Sequence, residues 1–120
     1  LSAAAPTPAD LAGIHALAVE IGLDVLVEIH HERELEHALG AAATLIGVNQ
    51  RDLVTFQVDH ERAVRMAGVI PDDAVKVAES GVRGAADARS LRSAGYDAVL
   101  VGETLVTSGD PAAAISELIG

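Results

Sequence analysis

Gly47-Val48-Asn49-Gln50-Arg51-Asp52-Leu53-Val54-Thr55-Phe56 runs from an apolar strand into a dense polar cluster and on to the chain's single phenylalanine. Polar groups at the carboxyl end of a strand are where parallel α/β enzymes keep their chemistry. The same pattern recurs on both sides of it. Val25-Leu26-Val27 ends in Glu28, Val75-Lys76-Val77-Ala78 ends in Glu79-Ser80-Gly81, and Ala98-Val99-Leu100-Val101 ends in Gly102. Four short strands therefore present their polar ends as one series.

Helical patterns separate these strands. Thr7 or Pro8 opens a helix reaching Ile21, with Leu11, Ile14, Leu17, Ala18 and Ile21 expected on one covering face and Gly22 as its stop. Residues 31–42 form the next, with Leu35, Ala38 and Leu39 inward. Residues 59–68, capped by Asp59, then 85–94, ended by Gly95, and 110–119 complete five helices, the first of them lacking a preceding strand. Strands alternating with helices of this length predict right-handed crossovers and a parallel sheet. Short connections before the strands (Gly22-Leu23-Asp24, Gly95-Tyr96-Asp97) and a longer one after Asn49 fit a barrel whose active face lies at the strand carboxyl ends. The same local grammar fits a flavodoxin-like open sheet, and periodicity does not separate that sheet from half of an eight-stranded barrel.

At 120 residues and half apolar, the chain forms one domain, residues 1–120. With one Phe, one Tyr and no Trp, its core must be Val, Leu, Ile and Ala, as in strands buried on both faces. The chain opens on Leu1 and a small-residue run, Ser2-Ala3-Ala4-Ala5-Pro6, which reads as a segment of a longer polypeptide. Acidic residues outnumber basic ones 18 to 8 and Lys76 is the only lysine, which disfavours nucleic acid as a partner. The absence of cysteine excludes disulfides and thiolate chemistry. No apolar run reaches membrane-spanning length and no signal-type opening is present, so a cytoplasmic protein with no membrane partner is expected.

Glu79-Ser80-Gly81-Val82-Arg83 and Val101-Gly102-Glu103-Thr104 are small-residue turns after neighbouring strands, and each brings backbone N–H groups close to an anion. Barrels with a phosphate site place it on the loops after the last two strands, so the two turns together read as a phosphate cup. Glu28, Asn49 and Glu79 occupy equivalent strand ends and converge on one mouth, where a carboxylate of raised pKa shuttles protons. Arg51 and Asp52 either pair and fix their loop, or Arg51 faces an anionic substrate. His30, His31, Glu34 and His37 share helical spacing suited to zinc. Glu32, Arg33 and Glu36 beside them read instead as a solvated helix face, and no metal is expected. His15 and His60 read as surface or capping residues.

These segments together resemble indole-3-glycerol phosphate synthase, a carboxy-lyase of tryptophan biosynthesis built on a (β/α)8 TIM barrel. Leu26-Val27-Glu28-Ile29-His30 is similar to the family's fifth strand, residues 46–56 to its sixth strand and loop, Glu79-Ser80-Gly81-Val82 to its seventh, and residues 97–104 to its eighth. The spacing Asn-x-Arg-Asp-Leu-x-Thr-Phe is the specific part. The resemblance implies that the chain is the carboxyl-terminal half of the barrel, four parallel strands with five helices. It further implies Glu28 as proton-transfer group, Asn49 on a substrate oxygen, Arg51 and Glu79 in the same network, and Ser80, Gly81, Gly102 and the backbone of Glu103 on phosphate. The implied substrate is 1-(2-carboxyphenylamino)-1-deoxyribulose 5-phosphate, a phosphosugar-anthranilate conjugate, closed, decarboxylated and dehydrated without a cofactor. The family's lysines on the first and third strands would precede Leu1, and Lys76, mid-strand, does not replace them. Thr104 stands where the family often has Ser. The partner implied is the missing amino-terminal half or a second copy, and the half alone is expected to be inactive. Another phosphate-binding barrel enzyme, such as an isomerase, and a non-catalytic half-barrel module that binds a ligand or self-associates are the alternatives.

Overall fold

The computed structural model describes residues 1–3, 7–51 and 58–119, with the side chains of residues 103 and 104 also set aside. Its elements run α1 (Pro8–Glu20), β1 (Val27–Ile29), α2 (Glu32–Gly40), β2 (Leu45–Asn49), α3 (His60–Val69), β3 (Val75–Glu79), α4 (Ala85–Ala94), β4 (Ala98–Leu100), α5 (Glu103–Thr107) and α6 (Pro111–Ile119). All four strands are parallel, in the spatial order β1-β2-β3-β4. That order decides what periodicity left open. A doubly wound sheet reverses direction at a switch point, whereas strands that are neighbours in both sequence and space wind one way, as in a barrel.

Five helices were expected and six are found among the described residues, because α5 occupies the loop after β4. It is a single short turn, below the length at which hydrophobic periodicity registers. A second addition lies at the other side of the sheet. Ser2 bridges Glu28 in parallel, with Glu28 N–H donating to Leu1 O at 2.7 Å and Ala3 N–H to Glu28 O at 2.8 Å. The helix thought to lack a strand is therefore preceded by a strand-like segment on the outer edge of β1.

Alternation along the strands sorts their side chains. Val27, Ile29, Ile46, Val48 and Ala78 are buried with Leu35, Ala38, Ala63, Met66 and Leu91 in the layer between sheet and helices. Helix caps follow the sequence. Thr7 Oγ1 accepts from Asp10 N–H at 3.0 Å with Pro8 beginning the helix, and Asp59 Oδ1 accepts from Arg62 N–H at 2.9 Å. The single tyrosine, Tyr96, is buried and donates to Ala63 O at 2.6 Å, tying β4's entry to α3.

The covering face expected for α1 is not the one used. Leu11 and His15 are its buried residues, while Ile14, Leu17 and Ile21 are 51%, 59% and 65% exposed. This helix is apolar nearly all round, so no single stripe distinguishes the face that meets the sheet.

Lys76 faces the helical layer. It is buried, its Nζ donates to Ala67 O at 3.0 Å near the end of α3, and Asp72 Oδ1 lies 3.6 Å away. A cation there satisfies a terminal helix carbonyl and complements the helix dipole. Lys76→Met keeps the length and orphans Ala67 O, so it is expected to lower unfolding stability by about 1–2 kcal/mol. Turnover of the full-length protein is expected to stay within about twofold, a change too small to reflect a lost acid–base group. A collapse of turnover at unchanged stability would instead place this lysine in the chemistry.

Candidate active site

Glu28, Gly47, Asn49 and Glu79 all lie on the sheet face opposite the helices. The register sets Glu28 beside Gly47 and Asn49 beside Glu79. Glu28 is thus two residues deeper than the strand-end level of Asn49, not equivalent to it, because it is the middle residue of β1, whose last residue, Ile29, is level with Val48. Asn49 spans the step, its Nδ2 donating to Glu28 Oε1 at 3.2 Å. The remaining amide oxygen, Oδ1, accepts from Arg51 N–H at 2.9 Å and so anchors the start of the following loop.

Glu79 reaches toward the same point across Gly47. A Cβ built on Gly47 would sit 2.6 Å from Glu79 Oε2 and 2.9 Å from its Cδ, so only the absence of a side chain leaves room for this carboxylate. Glu79 is buried, and among the described residues its Oε2 has no hydrogen-bond partner. Burial, helped by the negative charge of Glu28 and opposed by the α-amino group of Leu1, pushes the Glu79 carboxyl up from 4.5 to about 7. Such a group gives up and takes back a proton near neutrality.

A carboxyl with a raised folded-state pKa favours folding fully below its ordinary value, and that contribution is lost as pH rises through the folded value. Wild-type stability is therefore expected to fall, relative to Glu79→Gln, as pH goes from 4.5 to about 7. Urea unfolding at several pH values reads this directly. A stability difference that stays constant across the window would show that Glu79 titrates normally.

Sequence reasoning weighed His30 only as a metal ligand and read it as part of a solvated face. It lies on the Glu28 face two residues further on, buried, with Nε2 3.1 Å from Glu28 Oε1 though not in hydrogen-bonding geometry, and Nδ1 3.7 Å from Glu34 Oε1. The face from His30 to His37 is not simply solvated, for Glu34 is buried as well. Glu34 Oε1 accepts from His30 N–H at 2.8 Å and His31 N–H at 3.1 Å, a capping box that folds the carboxylate back onto the helix start. The Glu three residues past the cap was the available signal. Among the described residues no group of three metal-ligating side chains converges.

Beyond Glu79 the chain turns through two left-handed residues, Ser80 (φ 63°) and Gly81 (φ 67°). A cavity of about 550 Å³ opens there, lined by Arg51, Ser80, Gly81, Arg83 and Gly102 among others. Arg83 is tethered at its rim by Asp87, whose Oδ2 accepts from Nε at 3.1 Å and from the Arg83 N–H at 3.0 Å. Burial would raise the Asp87 carboxyl, but these Arg83 contacts outweigh it and hold the group below its usual range.

The structure therefore brings the sequence candidates into two adjoining groups. Glu28, Asn49 and Glu79 meet over Gly47, and Arg51 lies with Ser80, Gly81 and Gly102 around the cavity rather than between the carboxylates. Glu103 begins α5, and its side chain, like that of Thr104, is outside the described residues. Asp52 and the Leu53-Val54-Thr55-Phe56 part of the specific spacing also lie outside them. His60 is no isolated surface residue, since its ring contacts both Gln50 and Ser90.

A family model described as Indole-3-glycerol phosphate synthase matches residues 4–118. Indole-3-glycerol phosphate synthase 2 of Streptomyces coelicolor is 50% identical over 120 residues, covering 100% of this chain and 46% of that protein. The synthase of Mycobacterium tuberculosis is 52% identical over 99 residues, covering 82% of this chain and 36% of that protein. The chain thus spans less than half the length of these curated relatives. Among solved structures, 3-hexulose-6-phosphate synthase superposes with a TM-score of 0.76 at 18% identity, over 98% of this chain and 58% of that one. Mandelate oxidase superposes with a TM-score of 0.62 at 19% identity, over 90% of this chain and 33% of that one. Such distant likeness speaks for the fold alone: an α/β half-barrel, the wall of a (β/α)8 architecture. With the family match running almost from end to end and half of all positions shared with curated relatives, the chain belongs to the indole-3-glycerol phosphate synthase family.

Proposed function

We propose that the full-length protein containing this segment is a carboxy-lyase converting 1-(2-carboxyphenylamino)-1-deoxyribulose 5-phosphate to indole-3-glycerol phosphate in tryptophan biosynthesis, in the cytoplasm. The observation that carries this reading is the meeting of Glu28, Asn49 and Glu79 over Gly47 beside a cavity lined by Arg51, Ser80 and Gly81.

The reaction needs a ketone oxygen to gain a proton while the carboxylate-bearing aromatic carbon attacks. Carbon dioxide then leaves, and finally hydroxide leaves as water while a base removes a proton. Two proton-handling groups and a dipole to hold oxygen suffice for the later steps. Glu28 takes the role of proton-transfer group. Asn49 fixes it and holds substrate oxygen. Glu79, protonated to a large extent near neutrality, shares the proton transfer within reach of Glu28. Backbone N–H groups at Ser80 and Gly81 and at Gly102 and Glu103 receive the phosphate, with Arg51 supplying charge at the same cavity. Lys76 is committed to Ala67, so an ammonium acting as acid at the ketone comes from outside residues 1–120.

The amino-terminal barrel half is the proposed partner. Its natural seats are the exposed β4 edge, where Leu100 is 54% exposed, and the apolar flank of α1 formed by Ile14, Leu17 and Ile21. Full-length protein given the substrate is expected to release carbon dioxide together with an indole chromophore. Turnover of a phosphosugar without carbon dioxide would point to an isomerase of the same barrel type, and phosphate binding with no turnover of either to a silent module.

A further inference from the structure

Gln50 is a polar side chain with no solvent exposure, and it is absent from the chemistry above. Its Nε2 donates to Ser80 O at 2.7 Å, and its Oε1 lies 3.1 Å from His60 Nδ1. His60 Nε2 in turn lies 3.1 Å from Ser90 Oγ on α4. These contacts fix the amide orientation, since only Nε2 has a hydrogen to give to a carbonyl. Because Oε1 can only accept, His60 carries a proton on Nδ1 toward Gln50, and the Ser90 hydroxyl partners Nε2.

The group held at the end of this line is under conformational constraint. Ser80 is a non-glycine residue at φ 63°, followed by Gly81 at φ 67°. A non-glycine residue held in the left-handed region persists only when its surroundings over-determine it. Space at Gly81 is equally tight, for a Cβ there would run into Val58 Cγ1. Main-chain bonds supply the rest of the frame: Gln50 N–H donates to Glu79 O at 3.0 Å, Asp59 N–H to Gln50 O at 2.8 Å, and Arg62 Nη2 lies 3.4 Å from Asn49 O. The first turn of α3 thereby clamps the end of β2, and Gln50 carries that clamp across to the turn after β3.

We propose that Gln50, oriented by His60, is a positioning residue that holds the Ser80–Gly81 turn in its anion-binding conformation. This rests on the phosphate reading of that turn, and the outcome separates the two. Binding of inorganic phosphate to the full-length protein is measured by titration calorimetry, alongside KM and kcat for the substrate. Gln50→Leu is expected to weaken phosphate binding and raise KM by about tenfold, with kcat kept within about threefold, because the partly buried Ser80 carbonyl loses its donor while the carboxylates stay in place. His60→Ala, altered at a partly exposed position, is expected to weaken phosphate binding by about threefold to fivefold, and His60→Asn, which restores an N–H donor, to recover it. Should Gln50→Leu fail to fold, the two His60 variants decide. Wild-type phosphate affinity in Gln50→Leu and His60→Ala, with the unaltered protein binding phosphate, overturns the positioning role alone. Failure of the unaltered protein to bind phosphate overturns the phosphate reading and this role with it.

Discussion

Glu28→Gln in the full-length protein is expected to lower kcat by about two orders of magnitude or more while leaving KM nearly unchanged. The amide is isosteric and keeps an oxygen for the Asn49 Nδ2 contact at 3.2 Å, so the site should keep its shape and lose only its proton chemistry. His30 Nε2, 3.1 Å from the same oxygen, gives a second reason for a clean readout, since an amide there removes the negative charge without opening a cavity. Wild-type-like turnover in this variant would remove Glu28 from the mechanism and leave Glu79 as the remaining carboxyl of the pair.

Gly47→Ala should be nearly as damaging, though no functional group is lost. Its new methyl would fall 2.6 Å from Glu79 Oε2, and the far side offers Leu26 Cδ1 at 3.2 Å, so the Glu79 carboxylate has to move. Displacing a catalytic group by about 1 Å costs on the order of 100-fold in rate, and that is the loss expected in kcat. The decisive control is the pair Gly47→Ala with Glu79→Gln. If Gly47 acts through the position of Glu79, the methyl should add little to the amide variant, whereas independent effects would multiply. Multiplying losses would mean that Gly47 serves the fold and not the carboxylate.

Much of this arrangement is legible in the sequence because each strand is short, apolar and followed by polar residues. Ala85–Ala94 is found with the bounds its pattern gave, and the other element ends move by a few residues, where fraying and caps decide. Strand order was legible through the family resemblance but not through periodicity, since alternation specifies local structure and the order of pairing is a property of the whole sheet. The depth of Glu28 was not legible: a carboxylate after a short apolar run looks the same whether it ends its strand or sits one residue inside it. His30, read as part of a solvated face, and Gln50, not singled out, were misjudged for a shared reason. A polar residue beside a stronger candidate reads as solvated, and its burial depends on long-range partners, Glu28 for one and Ser80 with His60 for the other. The apolar flank of α1 misled for the opposite reason, because a helix with apolar residues on every side supplies no contrast from which to choose a face.

The parallel bridge from Ser2 to Glu28 bears on how the circle closes. With that segment in place the sheet occupies five successive positions, the bridged segment and β1 to β4, in an architecture that holds eight. The outer edge of β1 is thus already taken by main-chain atoms, Leu1 O and Ala3 N–H, and a strand joining the sheet on this side meets that segment rather than β1.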